Sequence, residues 1–156
     1  MSHLIPIVST KSDRASRRGR SSDRLGKDQE RRIERVYGPR KVGEYGDAVD
    51  HLGRDFKWQS KATRAAPPLW LECIGVATFR ERLPEYLYKP MGKMAGIGGA
   101  RLPLVIRSFV HVGTATRDWI FVPSHDWLGL HGFGMPAGFI VIPGDVFLDI
   151  HGRDEE

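Results

Sequence analysis

The sequence has few of the features that mark several protein classes. Among its 156 residues there is a single cysteine, which excludes an intramolecular disulfide and cannot supply a zinc site by itself. No run approaches the roughly 20 apolar residues that a bilayer-spanning helix needs. The apolar stretch near the N-terminus is shorter than a signal-peptide core and has no basic flank before it. We therefore expect a cytoplasmic protein, and the length suffices for one domain with a sizeable hydrophobic core.

Acidic residues are scarce in one part of the chain, although the net charge of the whole is only +5. Residues 1–41 contain twelve basic and five acidic residues, whereas the remainder contains twelve basic and fourteen acidic ones. A basic segment on a near-neutral body is typical of proteins that contact nucleic acid, although a solvated tail without a partner has the same composition. The candidate DNA contacts are Arg31, Arg32, Arg35, Arg40, Lys41 and Arg64.

Composition divides the chain into three regions. Residues 1–27 contain a long stretch with almost no apolar content, which predicts a disordered basic tail. Residues 28–131 carry the patterns of a folded domain. Residues 132–156 are rich in glycine and proline, and we expect this extension to add a last strand or an arm.

Local patterns in the first half of the folded region predict a helix followed by a β-hairpin. The helix begins at Asp28, a favourable N-cap, and ends before Pro39. Strands are predicted at residues 40–42, 47–52 and 54–61, with a tight turn at Gly53 between the last two. Apolar and polar residues alternate in the third strand, so its two faces differ.

The second half of the folded region predicts one long helix and two buried strands. Pro67 and Pro68 open the helix, which Pro84 kinks or splits. The strands are residues 102–110 and 117–122, and a short helix follows at 124–130. This α-β-β-β-α-β-β order predicts an α/β fold of three layers, with a mixed central sheet flanked by helices.

Three residues of the predicted hairpin bring together groups suited to phosphodiester hydrolysis. Asp50 precedes the turn, while Gln59 and Lys61 extend from one face of the second strand. The Asp50 carboxylate, the Gln59 amide oxygen and the Ser60 carbonyl are hard oxygen ligands for Mg²⁺. Lys61 can orient water and stabilise negative charge on a phosphate. An alternative is that Asp50 caps a turn and that Lys61 protects an edge strand against aggregation.

With these residues the chain resembles nucleases of the PD-(D/E)xK superfamily, and more narrowly the small Holliday-junction-resolvase-type members of phages and archaea. In that resemblance Glu34 corresponds to the glutamate of the first helix, Asp50 to the metal-binding aspartate, and Gln59-Ser60-Lys61 to the terminal triplet. Arg64 occupies the basic position that follows the lysine. The resemblance implies a restriction-endonuclease-like core and a homodimer that cuts branched or duplex DNA in a bacterial or phage-infected cell. It also implies that Glu34, Asp50 and Gln59 hold Mg²⁺ or Mn²⁺ while Lys61 acts on the attacking water.

The chain departs from this family at Gln59, where a glutamate is commoner. An amide contributes no charge, so metal affinity depends more on Asp50 and Glu34. Two alternatives to a nuclease therefore stay open. One is a DNA-binding accessory protein that keeps the fold without the reaction, and the other is a small interaction protein whose basic tail contacts nucleic acid nonspecifically.

Overall fold

The computed structural model describes residues 11–43, 48–97, 100–111, 113–125 and 138–155, with the side chains of the first helix described from residue 24 onward. Within these ranges the helices are α1 (Lys11–Tyr37), α2 (Leu69–Glu72), α3 (Glu85–Ala95) and α4 (Gly144–His151). The strands are β1 (Arg40–Lys41), β2 (His51–Leu52), β3 (Phe56–Thr63), β4 (Thr78–Arg80), β5 (Leu102–Phe109), β6 (Arg117–Pro123) and β7 (Phe139–Pro143).

The seven strands form one mixed sheet in the order β1-β2-β3-β5-β6-β7-β4. The β3 and β5 strands are parallel, and the other neighbouring pairs are antiparallel. The predicted α/β class, the mixed sheet and the Gly53 hairpin are confirmed. The Gly53 N–H closes the turn by donating to the Phe56 carbonyl at 3.0 Å.

Helices cover both faces of the sheet and create two separate cores, as the predicted three layers require. Helices α1 and α4 cover the first core, and α2 and α3 cover the second. The buried members of the first core are Ile33, Tyr37, Phe56, Trp58, Leu104, Ile106, Ile120, Val122, Ile140, Ile142 and Phe147. Those of the second are Val49, Leu71, Leu83, Leu87, Met91, Met94, Val105, Phe109, Trp119, Phe121 and Val141.

The β3 strand shows how the alternating pattern divides residues between the two faces. Phe56 and Trp58 lie fully buried in the first core. Lys57 lies on the opposite face, where its Nζ donates to the Ile97 carbonyl beyond α3 at 2.7 Å. Gln59 and Lys61 follow at the same spacing and therefore share that face.

Helix α1 begins at Lys11, so the predicted helix start at Asp28 is wrong. The predicted end is confirmed, because the helix stops at Tyr37. Ile33 and Tyr37 pack in the first core and so stabilise the C-terminal turns of α1. Because helix nucleation is the costly step, a helix that already exists can extend towards its N-terminus through residues such as Arg and Lys, which have good helix propensity. This helix is long but highly charged. Within the described ranges no helix is both long and apolar enough to span a membrane.

The long helix predicted after Pro67 is wrong. Helix α2 has only four residues and ends at Glu72. Strand β4 follows, and Pro84 is the N-cap of α3 rather than a kink. The apolar residues after Pro67 do not follow a clear helical or strand periodicity, so the sequence pattern does not distinguish a helix from a strand. Here the pairing of β4 with β7, with Phe79 opposite Ile140, decides the outcome.

The C-terminal residues add a last strand, as one of the two predicted outcomes, and this strand lies within the sheet. The β7 strand lies between β6 and β4, and α4 buries Phe147 in the first core. The short helix predicted at residues 124–130 lies outside the described residues from position 126 on.

A buried carboxylate attaches the C-terminal end of the chain to the hairpin. Asp154 has no exposed surface, and its oxygens accept hydrogen bonds from Trp58 Nε1 at 2.7 Å and from the backbone N–H groups of Asp55 and Phe56. Its own N–H donates to the Tyr37 carbonyl at 2.7 Å. A Cβ atom on Gly53 would overlap this carboxylate, so the turn requires glycine for close approach.

Replacing Asp154 with alanine should therefore destabilise the fold. The substitution leaves the three donors without their acceptor, and we expect the free energy of unfolding to fall by about 3 kcal/mol. Urea denaturation followed by tryptophan fluorescence measures this change.

The matched control is Glu155→Gln, which removes the neighbouring carboxylate. Glu155 is exposed and pairs only at the surface with Arg153, so its loss should change stability by less than about 0.5 kcal/mol. Equal effects of the two substitutions would show that the Asp154 hydrogen bonds contribute little.

Candidate functional site

The hairpin places Asp50 beside the second half of β3. His51 and Trp58 are register partners in the β2–β3 pair, and the Asp50 N–H donates to the Trp58 carbonyl at 2.8 Å. Two residues further along β3, the Ser60 N–H donates to Asp50 Oδ2 at 2.8 Å. The Asp50 carboxylate is therefore oriented by the backbone of the strand that carries Gln59 and Lys61.

Gln59 is a buried amide next to this carboxylate. Only 6% of its surface is exposed, and its Oε1 has no hydrogen-bond partner among the described residues. A buried acceptor without a partner costs free energy, and such groups occur often where a ligand completes the site. The Gln59 oxygen is thus a buried acceptor beside the Asp50 carboxylate that no described residue satisfies.

Asp50, Gln59 and Lys61 line one cavity of about 320 Å³, which we name the Asp50 cavity. Lys61 is exposed at its edge, and α3 supplies the facing wall with Pro90 and Lys93. The remaining lining residues are Ala48 and Ser60. The structure therefore brings three of the four predicted catalytic residues together.

Glu34, the fourth predicted catalytic residue and a predicted metal ligand, is not among the residues that line the Asp50 cavity. It lies on α1, which packs on the first core, whereas α3 forms the wall of the cavity on the other face. Its Oε1 accepts a hydrogen bond from the Lys41 N–H at 2.9 Å and lies 3.8 Å from His51 Nε2. Sequence spacing gives the position of Glu34 along α1 but not the face of the sheet that α1 covers.

His51 lies directly after Asp50, and sequence reasoning did not single it out. Its side chain is fully buried on the α1 side, with Nε2 3.2 Å from the Glu30 carbonyl. Burial lowers the pKa of this imidazole, against the opposing effects of the Glu30 backbone and nearby carboxylates. A neutral His51 is consistent with a role in packing.

Lys93 is the other residue that the sequence analysis missed. It lies in the last turn of α3, where the sequence shows only a basic residue on a mixed helix. The apolar spacing of Leu87, Met91 and Met94 identifies the buried side of α3. That spacing gives no sign that the same helix would close a cavity over β3.

The six predicted DNA contacts have different environments. Arg31, Arg35, Arg40, Lys41 and Arg64 are exposed, and Lys41 pairs with Glu30 at 2.8 Å. Arg32 instead forms a two-pronged ion pair with the buried Asp118, with Nη1 2.8 Å from Oδ1. Burial alone would lower the pKa of Arg32, but the Asp118 carboxylate offsets this and raises it. Arg32 is thus held by an ion pair within the fold, unlike the five exposed residues, and its contact with DNA stays a prediction.

The Asp118 carboxylate is shared by several donors that join α1 to the sheet. Tyr37 donates its hydroxyl to Oδ2 at 2.5 Å, and Ser108 donates its hydroxyl to Oδ1 at 2.6 Å. Burial and the adjacent carboxylate raise the pKa of Tyr37, so the phenol remains protonated and able to donate. Asp118 thus serves the attachment of α1, and Arg32 is one part of that network.

A second group of metal-ligand side chains lies at the other end of β3. Asp55, His151 and Asp154 each offer one atom within 4.8 Å of the others. The Asp154 oxygens already accept three protein hydrogen bonds, and His151 Nε2 lies 3.3 Å from Asp55 Oδ2. These contacts give the cluster a structural role.

No protein-family model, curated protein or solved structure matches this chain. The resemblance to PD-(D/E)xK nucleases therefore rests on the residues of the sequence motif alone.

Replacing Arg32 with glutamine should lower the free energy of unfolding, while the exposed basic residues of α1 stay unchanged. The substitution leaves the buried Asp118 carboxylate without its cation, so we expect a loss of roughly 3 kcal/mol in the free energy of unfolding. Urea denaturation gives the value.

Arg35→Gln is the control, because Arg35 is exposed one helical turn further along α1. It should change stability by less than about 0.5 kcal/mol. If Arg32→Gln were equally mild, the Asp118 ion pair would not anchor α1.

Proposed function

We propose that this protein is a divalent-metal-dependent DNA endonuclease that acts at the Asp50 cavity and has a restriction-endonuclease-like core. The observation that carries the proposal is the buried Gln59 Oε1, which has no partner among the described residues and lies beside the Asp50 carboxylate and Lys61. The similarity of Asp50 and Gln59-Ser60-Lys61 to the PD-(D/E)xK motif supports the same reaction. We expect the enzyme to act as a cytoplasmic homodimer, since symmetric cutting of two strands needs two sites.

The donor atoms of the cavity suit Mg²⁺ or Mn²⁺. Asp50 offers a carboxylate oxygen and Gln59 an amide oxygen, and both are hard ligands. A bound cation would be a partner for the Gln59 oxygen, which accepts no hydrogen bond from the described residues, and it would polarise a phosphate of the DNA. Glu34 has no place in this ligand set, because it does not line the cavity.

The side chains of the cavity have separate tasks in phosphodiester hydrolysis. The Ser60 N–H donates to the Asp50 carboxylate and holds it in one orientation beside Gln59. Lys61 donates hydrogen bonds to the attacking water or to a phosphate oxygen and stabilises the added negative charge. Water attacks phosphorus and loses a proton to the solvent as the new P–O bond forms, and the bond to the sugar oxygen breaks while that oxygen takes up a proton from the solvent.

A second candidate is a DNA-binding accessory protein without nuclease activity. It is favoured by one observation, which is that Asp50 provides the only carboxylate among the described residues that line the Asp50 cavity. Because residue 59 is an amide and not a carboxylate, the cavity attracts a metal cation less strongly. Cleavage and metal-binding measurements separate the two candidates.

Cleavage should depend on Asp50 and Lys61 but not on Glu34. We expect Asp50→Asn and Lys61→Ala to lower the rate on labelled junction, flap and linear DNA by at least about a hundredfold with Mg²⁺ or Mn²⁺. Single-turnover cleavage followed on a gel measures the rate.

Glu34→Gln is the matched control and should retain nearly full activity, since glutamine keeps the acceptor for the Lys41 N–H. Loss of activity in this variant would return Glu34 to the metal site. If the parent protein cuts none of the substrates, or if Lys61→Ala cuts as well as the parent, the proposal fails.

Replacing Gln59 with glutamate should make stability respond more strongly to the cation. A carboxylate at this buried position is unfavourable without a counter-ion and favourable with one. We expect a lower Tm than the parent in EDTA and a larger rise in Tm on adding Mg²⁺, together with tighter binding by calorimetry.

Gln59→Leu is the comparison, because it keeps the volume but removes both polar atoms. It should bind Mg²⁺ more weakly than the parent. Equal responses of the glutamate and leucine variants to Mg²⁺ would exclude Gln59 as a metal ligand.

A further inference from the structure

A second cavity of about 560 Å³ adjoins the Asp50 cavity, and we name it the Arg107 cavity. The two share Lys61, Pro90 and Lys93 as lining residues, so they are neighbouring parts of one cleft. The volume is within the range of pockets that hold a small organic molecule, and a single nucleotide is of that size. Anything bound in the Arg107 cavity would therefore lie next to Asp50 and Gln59.

Arg107 reaches this cleft from the strand parallel to β3. In the β3–β5 register Arg107 is the partner of Lys61, so the two side chains lie side by side on the α3 face. The Arg107 Nη2 donates to the Tyr86 carbonyl at 2.9 Å. Pro90 explains why that carbonyl is available, because proline has no N–H to donate to the carbonyl four residues earlier in the helix.

The described residues do not satisfy all the hydrogen-bond donors of the Arg107 guanidinium. Its Nε is buried and has no hydrogen-bond partner among the described residues. Burial lowers the pKa of Arg107, although Tyr86 and Asp50 act in the opposite direction. A partly buried cation of this kind gains most from an anion placed beside it.

The lining of the Arg107 cavity is basic on one side and apolar on the other. Lys61, Lys89, Lys93 and Arg107 are its charged residues, and none of the described lining residues is acidic. The apolar residues include Leu71, Leu87, Phe109 and Phe121. Cations beside an apolar wall suit a ligand that has both an anionic group and a flat hydrophobic ring.

Tyr86 supplies an aromatic surface at the entrance. Its side chain is 56% exposed, and its ring centroid lies 5.9 Å from the Arg107 Cζ atom. An exposed ring beside an arginine is the arrangement on which an unpaired base stacks. Paired bases within a duplex are already stacked and present only their edges.

We propose that the Arg107 cavity binds one unpaired nucleotide of the DNA, with its phosphate at Arg107, Lys61 and Lys93 and its base between Tyr86 and the apolar wall. This inference rests on the proposed function, because it assigns the neighbouring phosphodiester to the Asp50 cavity. It narrows the substrate class to DNA with an unpaired nucleotide at the cut, such as a flap, a branch or a single-stranded end.

Binding of a short oligothymidylate to the full chain in EDTA tests the proposal without cleavage. We expect fluorescence anisotropy to show at least about tenfold weaker binding for Arg107→Met than for Arg54→Met. The second variant removes an equal charge from Arg54, which is exposed near the opposite end of β3. Tyr86→Ala should weaken binding of the thymidylate but not of an abasic strand of the same length.

Two results would overturn the proposal. One is equal weakening by Arg107→Met and Arg54→Met, and the other is equal affinity for the thymidylate and the abasic strand. Arg107→Lys keeps the charge but removes the guanidinium, and it provides a second test in case Arg107→Met does not fold. This variant should also bind the thymidylate more weakly than the parent.

The outcome is separable from that of the nuclease proposal. If Asp50→Asn binds the thymidylate through Arg107 while the parent cuts no DNA, the nucleotide site stands and the nuclease fails. If the parent cuts intact duplex as fast as a flap and Arg107→Met leaves binding unchanged, the nuclease stands and the nucleotide site fails.

Discussion

The structure depends on the buried carboxylate of Asp154. Trp58 Nε1 and two backbone N–H groups at the start of β3 donate to it, although Asp154 lies 98 positions further along the chain than Phe56. The close approach of this carboxylate to Gly53 fixes the turn of the hairpin. Because that hairpin also carries Asp50 and Gln59, the geometry of the candidate site is held by a residue at the other end of the chain.

Buried charge also decides which basic residues are available at the surface. The ion pair with Asp118 holds the Arg32 side chain against the sheet and attaches α1 to β6. Arg31 and Arg35 on the same helix are exposed. The cleft is mainly basic: Lys61 and Lys93 line the Asp50 cavity together with Asp50, and Arg107 lines the adjoining cavity. A cleft with this charge distribution favours a phosphate beside the arginine and a cation beside the carboxylate. The two cavities lie near the carboxyl ends of the parallel strands β3 and β5, where α/β sheets commonly bind ligands.

Much of the fold could be predicted, because its signals are local. Alternation in β3 separates Trp58 from Gln59, and the apolar run of β5 needs burial on both faces. The C-terminal strand β7 was interpreted as part of an extension because its position between β6 and β4 depends on pairing with distant residues. The helix predicted after Pro67 failed for the same reason, since β4 exists through its pairing with β7.

The sequence by itself determined the hairpin and the grouping of Asp50, Gln59 and Lys61, because neighbours across a tight turn are fixed by a period of two residues. Tertiary structure alone decided that Arg107 lies beside Lys61, that α3 closes the cleft with Lys93, and that Glu34 is not in it. These contacts join elements far apart in the chain. The positions of Arg107, Lys93 and Glu34 follow from which face of the sheet each helix covers. Burial of apolar surface across the whole core determines that face, and no local sequence pattern predicts it.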